Sequence, residues 1–328
     1  MNRDLKLDSL KGILIVLVLY GHIPFTFFLI EKTILLSGIS TFIYFFHMPL
    51  FLAVSVLFIK TDFYWLLKRA SLILLPYLFW FFYANKRLLI ENPIEFMGGA
   101  MMGNWESLHS IIWFLPALFS LNFLFFIFYK GTKLVKTILL LGSILAFTFA
   151  SYIIQIHNLI PFGMDIAIYL FILVHIIKRI YENQNIIEKL NIPLLLVIII
   201  ISATLLFNYE PIKTHTQYHA IIDLAQFSVP ITSIGYVSFL ILNISIFSLF
   251  LKFRSSRILS LIGIYAFPIF LLHLMILYKL PKLIQVENFG LNILFLLLTF
   301  LLSIVMPIII SKLLMRVTDK FKYIGMVK

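Results

Sequence analysis

The chain of 328 residues contains no cysteine, so it has no disulfide, no thiolate metal site and no cysteine nucleophile or acyl-cysteine intermediate. Charge is also scarce, at 12% of residues, against 62% hydrophobic residues and a mean hydropathy of +1.06. A soluble core has no room for that much apolar surface, and the composition is that of a polytopic membrane protein. No nucleotide loop, paired zinc motif or Gly-rich phosphate cradle occurs, and no internal repeat, heptad array or low-complexity tract. The net charge of +12 suggests nucleic acid in a soluble protein, but here the cations sit between apolar runs and report topology.

What is present is a series of apolar runs. Taking about 20 residues per crossing, the sequence predicts an all-α, polytopic membrane helix bundle of ten helices, forming one domain over residues 1–328. They are expected at 10–30, 35–59, 69–84, 110–129, 134–155, 160–181, 192–208, 231–251, 257–279 and 290–314. With the N-terminus inside, 20 of the 26 Lys and Arg fall in inner segments, which predicts both termini in the cytoplasm. The first run exceeds signal-peptide length and has no small-residue cleavage site, so it reads as a retained anchor. Two long outer segments, 85–109 and 209–230, carry much of the outward polar inventory, including Glu106, Glu210, His219 and Asp223.

Ionisable residues inside such runs are costly and mark function by default. In LDSLKGILIVLVLYGH, residues 7–22, Lys11 and His22 lie on one helical face, separated by about 16 Å. His47, in FFHMPLF, is twelve residues from the inner end of the second helix, a depth matching that of His22. An imidazole there serves as general base near neutral pH, or else donates one hydrogen bond that ties neighbouring helices together. Lys11, with Arg3, Lys6, Lys68 and Arg69, forms a cytoplasmic cationic mouth suited to phosphate; the positive-inside rule places basic residues there in any case. Asp165 reads as a surface or helix-start residue, and His175 and His273 as path-lining groups or local carbonyl partners. Pro24 and Pro49 follow the two midplane histidines by two residues, where a kink opens the bundle.

Together these motifs resemble the acyltransferase 3 family of membrane acyltransferases, and within it the fucose 4-O-acetylase-like branch. The resemblance rests on residues 7–22, on FIYFFHMPLFLAVS at 42–55, KRASLILLPYLFW at 68–80, IIWFLPALF at 111–119 and IGIYAFPIFLLHLMI at 262–276. The family's signature of arginine, ten residues and histidine is matched by Lys11 and His22, with lysine in place of arginine. Val56 stands where the family has glycine, and Leu72 replaces the second arginine of an Arg-x-x-Arg motif that Lys68 and Arg69 match in part. The resemblance implies transfer of an acyl group from cytoplasmic acyl-CoA, usually acetyl-CoA as co-substrate with no bound cofactor, to a hydroxyl of a surface polysaccharide or lipid-linked glycan. His22 then matches the essential histidine, with His47 orienting it or the acceptor, and Lys11, Lys68 and Arg69 hold the donor. A transporter or flippase exporting a glycan intermediate through the same bundle is the alternative. Lys-, Ile- and Phe-rich usage points to a bacterial source, hence a cytoplasmic membrane.

Overall fold

The computed structural model describes residues 4–22, 39, 41–102, 110–148, 160–209, 232–283 and 289–326. Among these residues every regular element is helical: α1 (Leu5–Gly21), α2 (His47–Val56), α3 (Phe63–Glu91), α4 (Pro93–Met102), α5 (Phe114–Lys130), α6 (Lys133–Thr148), α7 (Met164–Glu182), α8 (Asn185–Lys189), α9 (Ile192–Tyr209), α10 (Ser233–Lys252), α11 (Arg257–Ile264), α12 (Ala266–Leu283) and α13 (Phe289–Val317). Short 3₁₀ turns occupy Ser110–Trp113, Pro161–Gly163 and Asp319–Ile324.

Among the described residues, four helices have the length and hydropathy to cross a membrane: Phe63–Glu91, Pro161–Glu182, Ser233–Lys252 and Leu294–Val317. The bent pair α11 and α12 makes a fifth if it is one span, and Thr41–Val56, Phe114–Lys130 and Ile192–Asn208 are shorter apolar helices. On α13, Leu294, Leu297, Leu298, Leu301 and Val305 are exposed, as are Leu196, Val197, Ile200 and Ile201 on α9. Such apolar faces have hydrocarbon as their natural solvent.

Several boundaries differ from those the apolar windows predict. α1 begins at Leu5 instead of residue 10, because the Asp4 carboxylate caps the Lys6 and Leu7 amides at 2.9 and 3.2 Å. It ends at Gly21, with His22 as its C-cap; residues 23–38, to which the expected helix extends, lie outside the described residues. α3 starts at Asp62, whose carboxylate accepts the Trp65 amide at 2.7 Å, and continues to Glu91 with a kink at Asn85. Seventeen of the 25 residues of the expected outer loop at 85–109 are therefore helix, since α4 follows with Asn92 as its cap, Pro93 at its first position and Glu95 accepting from the Asn92 amide group at 2.9 Å. The expected single helix at 257–279 is broken at Tyr265 into α11 and α12, which meet at 65°.

The chain forms two compact units, one of residues 1–51 with 253–328 and one of residues 52–252. In the first, α1 lies along α11 and also packs on α12 and α13. The α1–α11 crossing is made of small residues, Ser9 and Gly12 on one side and Ser256, Ser260 and Gly263 on the other, so the backbones approach to contact. In the second, α5 and α7 supply the core: α5 buries Leu115, Leu121 and Phe125, and α7 buries Leu170, Leu173 and Val174 against α5, α6 and α10.

Candidate active site

Three histidines come together in the first unit. His22 is half-buried at the C-terminal end of α1, where Gly21 and the non-helical His22 backbone (φ −103°, ψ 2°) stop the helix. His47 opens α2 directly after a break at residues 45–46; it is 2% exposed, and its Nδ1 is 2.8 Å from the Ile43 carbonyl. Pro49 sits in the first turn of α2, where a missing amide costs no helical bond. Tyr44 joins the two: its hydroxyl donates to the Gly21 carbonyl at 3.1 Å, and its ring meets the His47 ring edge-on at 5.0 Å. The Gly21 position has no room for a side chain, because a Cβ there falls 2.7 Å from the Tyr44 hydroxyl. Tyr44 is thus the link between the end of α1 and His47.

His273 is the third member. It lies in α12, fully buried, with Nδ1 2.7 Å from the Phe270 carbonyl and 3.1 Å from that of Ile269, and its ring is 5.4 Å from the His22 ring. A carbonyl oxygen only accepts, so Nδ1 carries the proton in both His47 and His273, and in the neutral rings Nε2 is left as a lone-pair acceptor. The sequence reading has His273 bonding a local carbonyl, which it does, but does not bring it to His22. The signal available was the segment at 262–276, whose histidine is the only Asp, Glu, Lys, Arg or His in that apolar run.

Lys11 is half-buried on α1, three turns below His22 on the same face, so the expected phase is kept by an unbroken helix. Lys68 and Arg69 lie in α3, in the second unit. Lys68 is exposed, whereas Arg69 is half-buried, donates to the Ser55 carbonyl at 3.2 Å and keeps its Nε without a hydrogen-bond partner among the described residues. Asp165, expected at a surface, is 2% exposed in the first turn of α7, because the preceding turn folds tightly onto α5: Phe162 and Gly163 both have positive φ, and Ser120 donates to the Phe162 carbonyl at 2.8 Å. His175 packs among Phe125, Phe128 and Phe171 in the second unit. Glu106, Glu210, His219 and Asp223 lie outside the described residues. Among the described residues no group of three His, Asp or Glu side chains could hold a metal ion.

The family model described as an acyltransferase domain, that of the acyltransferase 3 family, matches residues 4–312. The chain belongs to the acyltransferase 3 family. Its acyltransferase domain thus includes the three histidines, Lys11, Lys68 and Arg69. Two curated relatives are both nodulation protein NolL. The one from Mesorhizobium japonicum is 41% identical over 86 residues, 24% of this chain and 23% of the relative; the one from Sinorhizobium fredii is 40% identical over 86 residues, 24% of each. The match thus spans about a quarter of those relatives' length. No solved structure matches the chain.

Proposed function

We propose that this chain is a membrane O-acyltransferase of a bacterial cytoplasmic membrane, with both termini cytoplasmic. It takes an acyl group, acetyl by default, from cytoplasmic acyl-CoA and delivers it to a hydroxyl of a surface or lipid-linked carbohydrate. The observation that carries this reading is the His22 ring beside the His273 ring, with His47 joined through Tyr44 to the same end of a helix whose lower turns carry Lys11. A hydroxyl needs a base before it attacks a thioester, and a positioned imidazole supplies one at neutral pH, a contribution of about 10²–10⁴ in rate.

In the step so defined, the acceptor oxygen bonds to the thioester carbonyl carbon while its proton passes to a His22 ring nitrogen. The carbon–sulfur bond then breaks, and the departing thiolate takes the proton back from His22 to leave as CoA thiol. His47, held through Ile43, presents Nε2 to orient the acceptor hydroxyl or the His22 ring. Lys11 provides positive charge for the donor's phosphates, and Lys68 and Arg69 are the further donor contacts that the family resemblance implies.

The test is acyl transfer in membrane vesicles of a strain lacking the gene, supplied with labelled acetyl-CoA and the cell's own glycan. Vesicles carrying the wild-type chain are expected to label glycan, and those carrying His22→Ala, at equal protein level, to lose at least about 10²-fold in rate. A His22→Ala chain that labels at the wild-type rate removes His22 from catalysis. Glycan movement in liposomes without any acyl donor, and without acylation when the donor is present, overturns the enzyme in favour of export.

A further inference from the structure

The chemistry above uses His22 and His47 and leaves His273 without a task. His273 is nonetheless built into place more firmly than either. It has no exposed surface, its Nδ1–H is held by two carbonyls of its own helix, and Nε2 has no hydrogen-bond partner among the described residues. A histidine that only satisfied a helix carbonyl would be complete with the Nδ1 bond. A buried acceptor left open has a desolvation cost of about 1–3 kcal/mol that nothing on its own helix repays.

The group facing it is the His22 ring. Two imidazoles joined by an N–H···N bond of about 3 Å have centroids about 5.2 Å apart. The observed separation is 5.4 Å with the planes at 46°, a spacing that admits such a bridge. His22 is the less constrained ring: it lies beyond the last helical residue and is half-buried, whereas His273 is fully buried and held by two carbonyls.

We propose that His273 is the positioning residue of His22: its Nε2 receives one ring N–H of His22 and so holds that imidazole in the tautomer whose other nitrogen takes the hydroxyl proton. When that proton arrives, the His22 cation donates its N–H to a fixed acceptor instead of facing apolar surroundings. This assignment rests on the acyl-transfer reading and assigns His273 no contact with substrate.

The protein itself suggests the discriminating variant. Asn122 and Asn243 each donate Nδ2–H to the carbonyl four residues back, at 2.6 and 2.8 Å, as His273 does through Nδ1. His273→Asn therefore keeps the tie to α12 and removes only the acceptor, while His273→Gln returns an amide oxygen near the Nε2 position. In the vesicle assay, His273→Asn is expected to match the wild type in protein level and melting temperature, to keep KM for acetyl-CoA, and to lose about 10- to 100-fold in kcat. His273→Gln is expected to recover part of that loss. A folded His273→Asn with wild-type kcat, beside an inactive His22→Ala, overturns this assignment alone. Equal loss in the Asn and Gln variants together with a lowered melting temperature makes His273 purely structural and overturns it too. A wild-type chain without transfer overturns both readings.

Discussion

The α1–α11 crossing decides where His22 stands relative to α12, and a single methyl group tests it. A Cβ added to Gly12 overlaps the Leu259 carbonyl oxygen and lies 2.8 Å from its carbon and 3.2 Å from the Gly263 nitrogen. All three are backbone atoms that no rotamer moves aside. A Cβ on Gly263 likewise meets the Asp8 carbonyl and lies 2.8 Å from the Gly12 nitrogen. Ordinary contact begins near 3.4 Å, so Gly12→Ala parts the helices by about 1 Å, an overpacking cost of about 1–3 kcal/mol. Parting them also strains the Ser9–Ser260 hydroxyl bond at 2.8 Å, the Ser256 amide to Ser9 bond at 3.0 Å and the Ser260 to Leu5 carbonyl bond at 2.9 Å. Interhelical bonds of this kind are worth about 0.6 kcal/mol each in a membrane protein. A total near 3 kcal/mol corresponds to about 6–12 °C of melting temperature. Gly142 is the control: it is in α6 with nothing within 4 Å of an added Cβ, so Gly142→Ala should hold or gain about 0.5–1 kcal/mol. The assay is thermal unfolding of purified protein in one detergent. Gly12→Ala melting within about 2 °C of wild type, or falling no further than Gly142→Ala, refutes the close crossing.

Tyr44→Phe removes the hydroxyl that holds the last carbonyl of α1 and should cost about 1 kcal/mol of stability, with a several-fold fall in transfer rate at unchanged donor KM. Lys11→Ala should raise KM for acetyl-CoA about tenfold while Lys11→Arg leaves it equal or lower, read by steady-state kinetics; equal KM in all three chains removes Lys11 from the donor site. Lys178 is buried in α7, donating to the Leu57 carbonyl at 2.6 Å and pairing with Glu182 at 3.1 Å. Lys178→Met leaves that carbonyl unsatisfied and should lower stability by about 1–3 kcal/mol in the same melting assay.

Apolar runs of crossing length were legible because composition alone reports them, and the family likewise from five local segments. The unread features have local causes. Windowed hydropathy does not see caps, so Asp4, Asp62 and Asn92, each an acid or amide directly before a helix, moved three boundaries although the signal was in the sequence. Asn92, Pro93 and Glu95 spell a helix start inside what polarity had marked as loop. The nearness of His22 to His273 was not legible, since 251 positions separate them and the crossing of α1 with α11, at Ser9 and Gly12 against Ser256, Ser260 and Gly263, brings them together only in the fold.

Two of the three histidines sit at or just beyond an interruption of helix, and the third lies two turns past one. His22 follows the end of α1, His47 follows the break at 45–46, and His273 comes eight residues after the break at Tyr265. In hydrocarbon an interrupted helix exposes amides and carbonyls that lipid cannot satisfy, so irregular backbone at that depth persists only inside protein or beside water. The amides of His22, Phe45, Phe46 and Tyr265 at these breaks still find carbonyls three or four residues back, and a polar interior beside them would serve the carbonyls left over. That interior is what a carbohydrate hydroxyl needs to reach a thioester within the membrane, and it is what an uninterrupted helix pair joined by two structural histidines would lack. Restoring continuity should thus damage transfer without damaging the fold: Tyr265→Leu favours helix through the α11–α12 junction. The expected result is a melting temperature equal to or above wild type with transfer reduced, and unchanged transfer would separate the break from the chemistry.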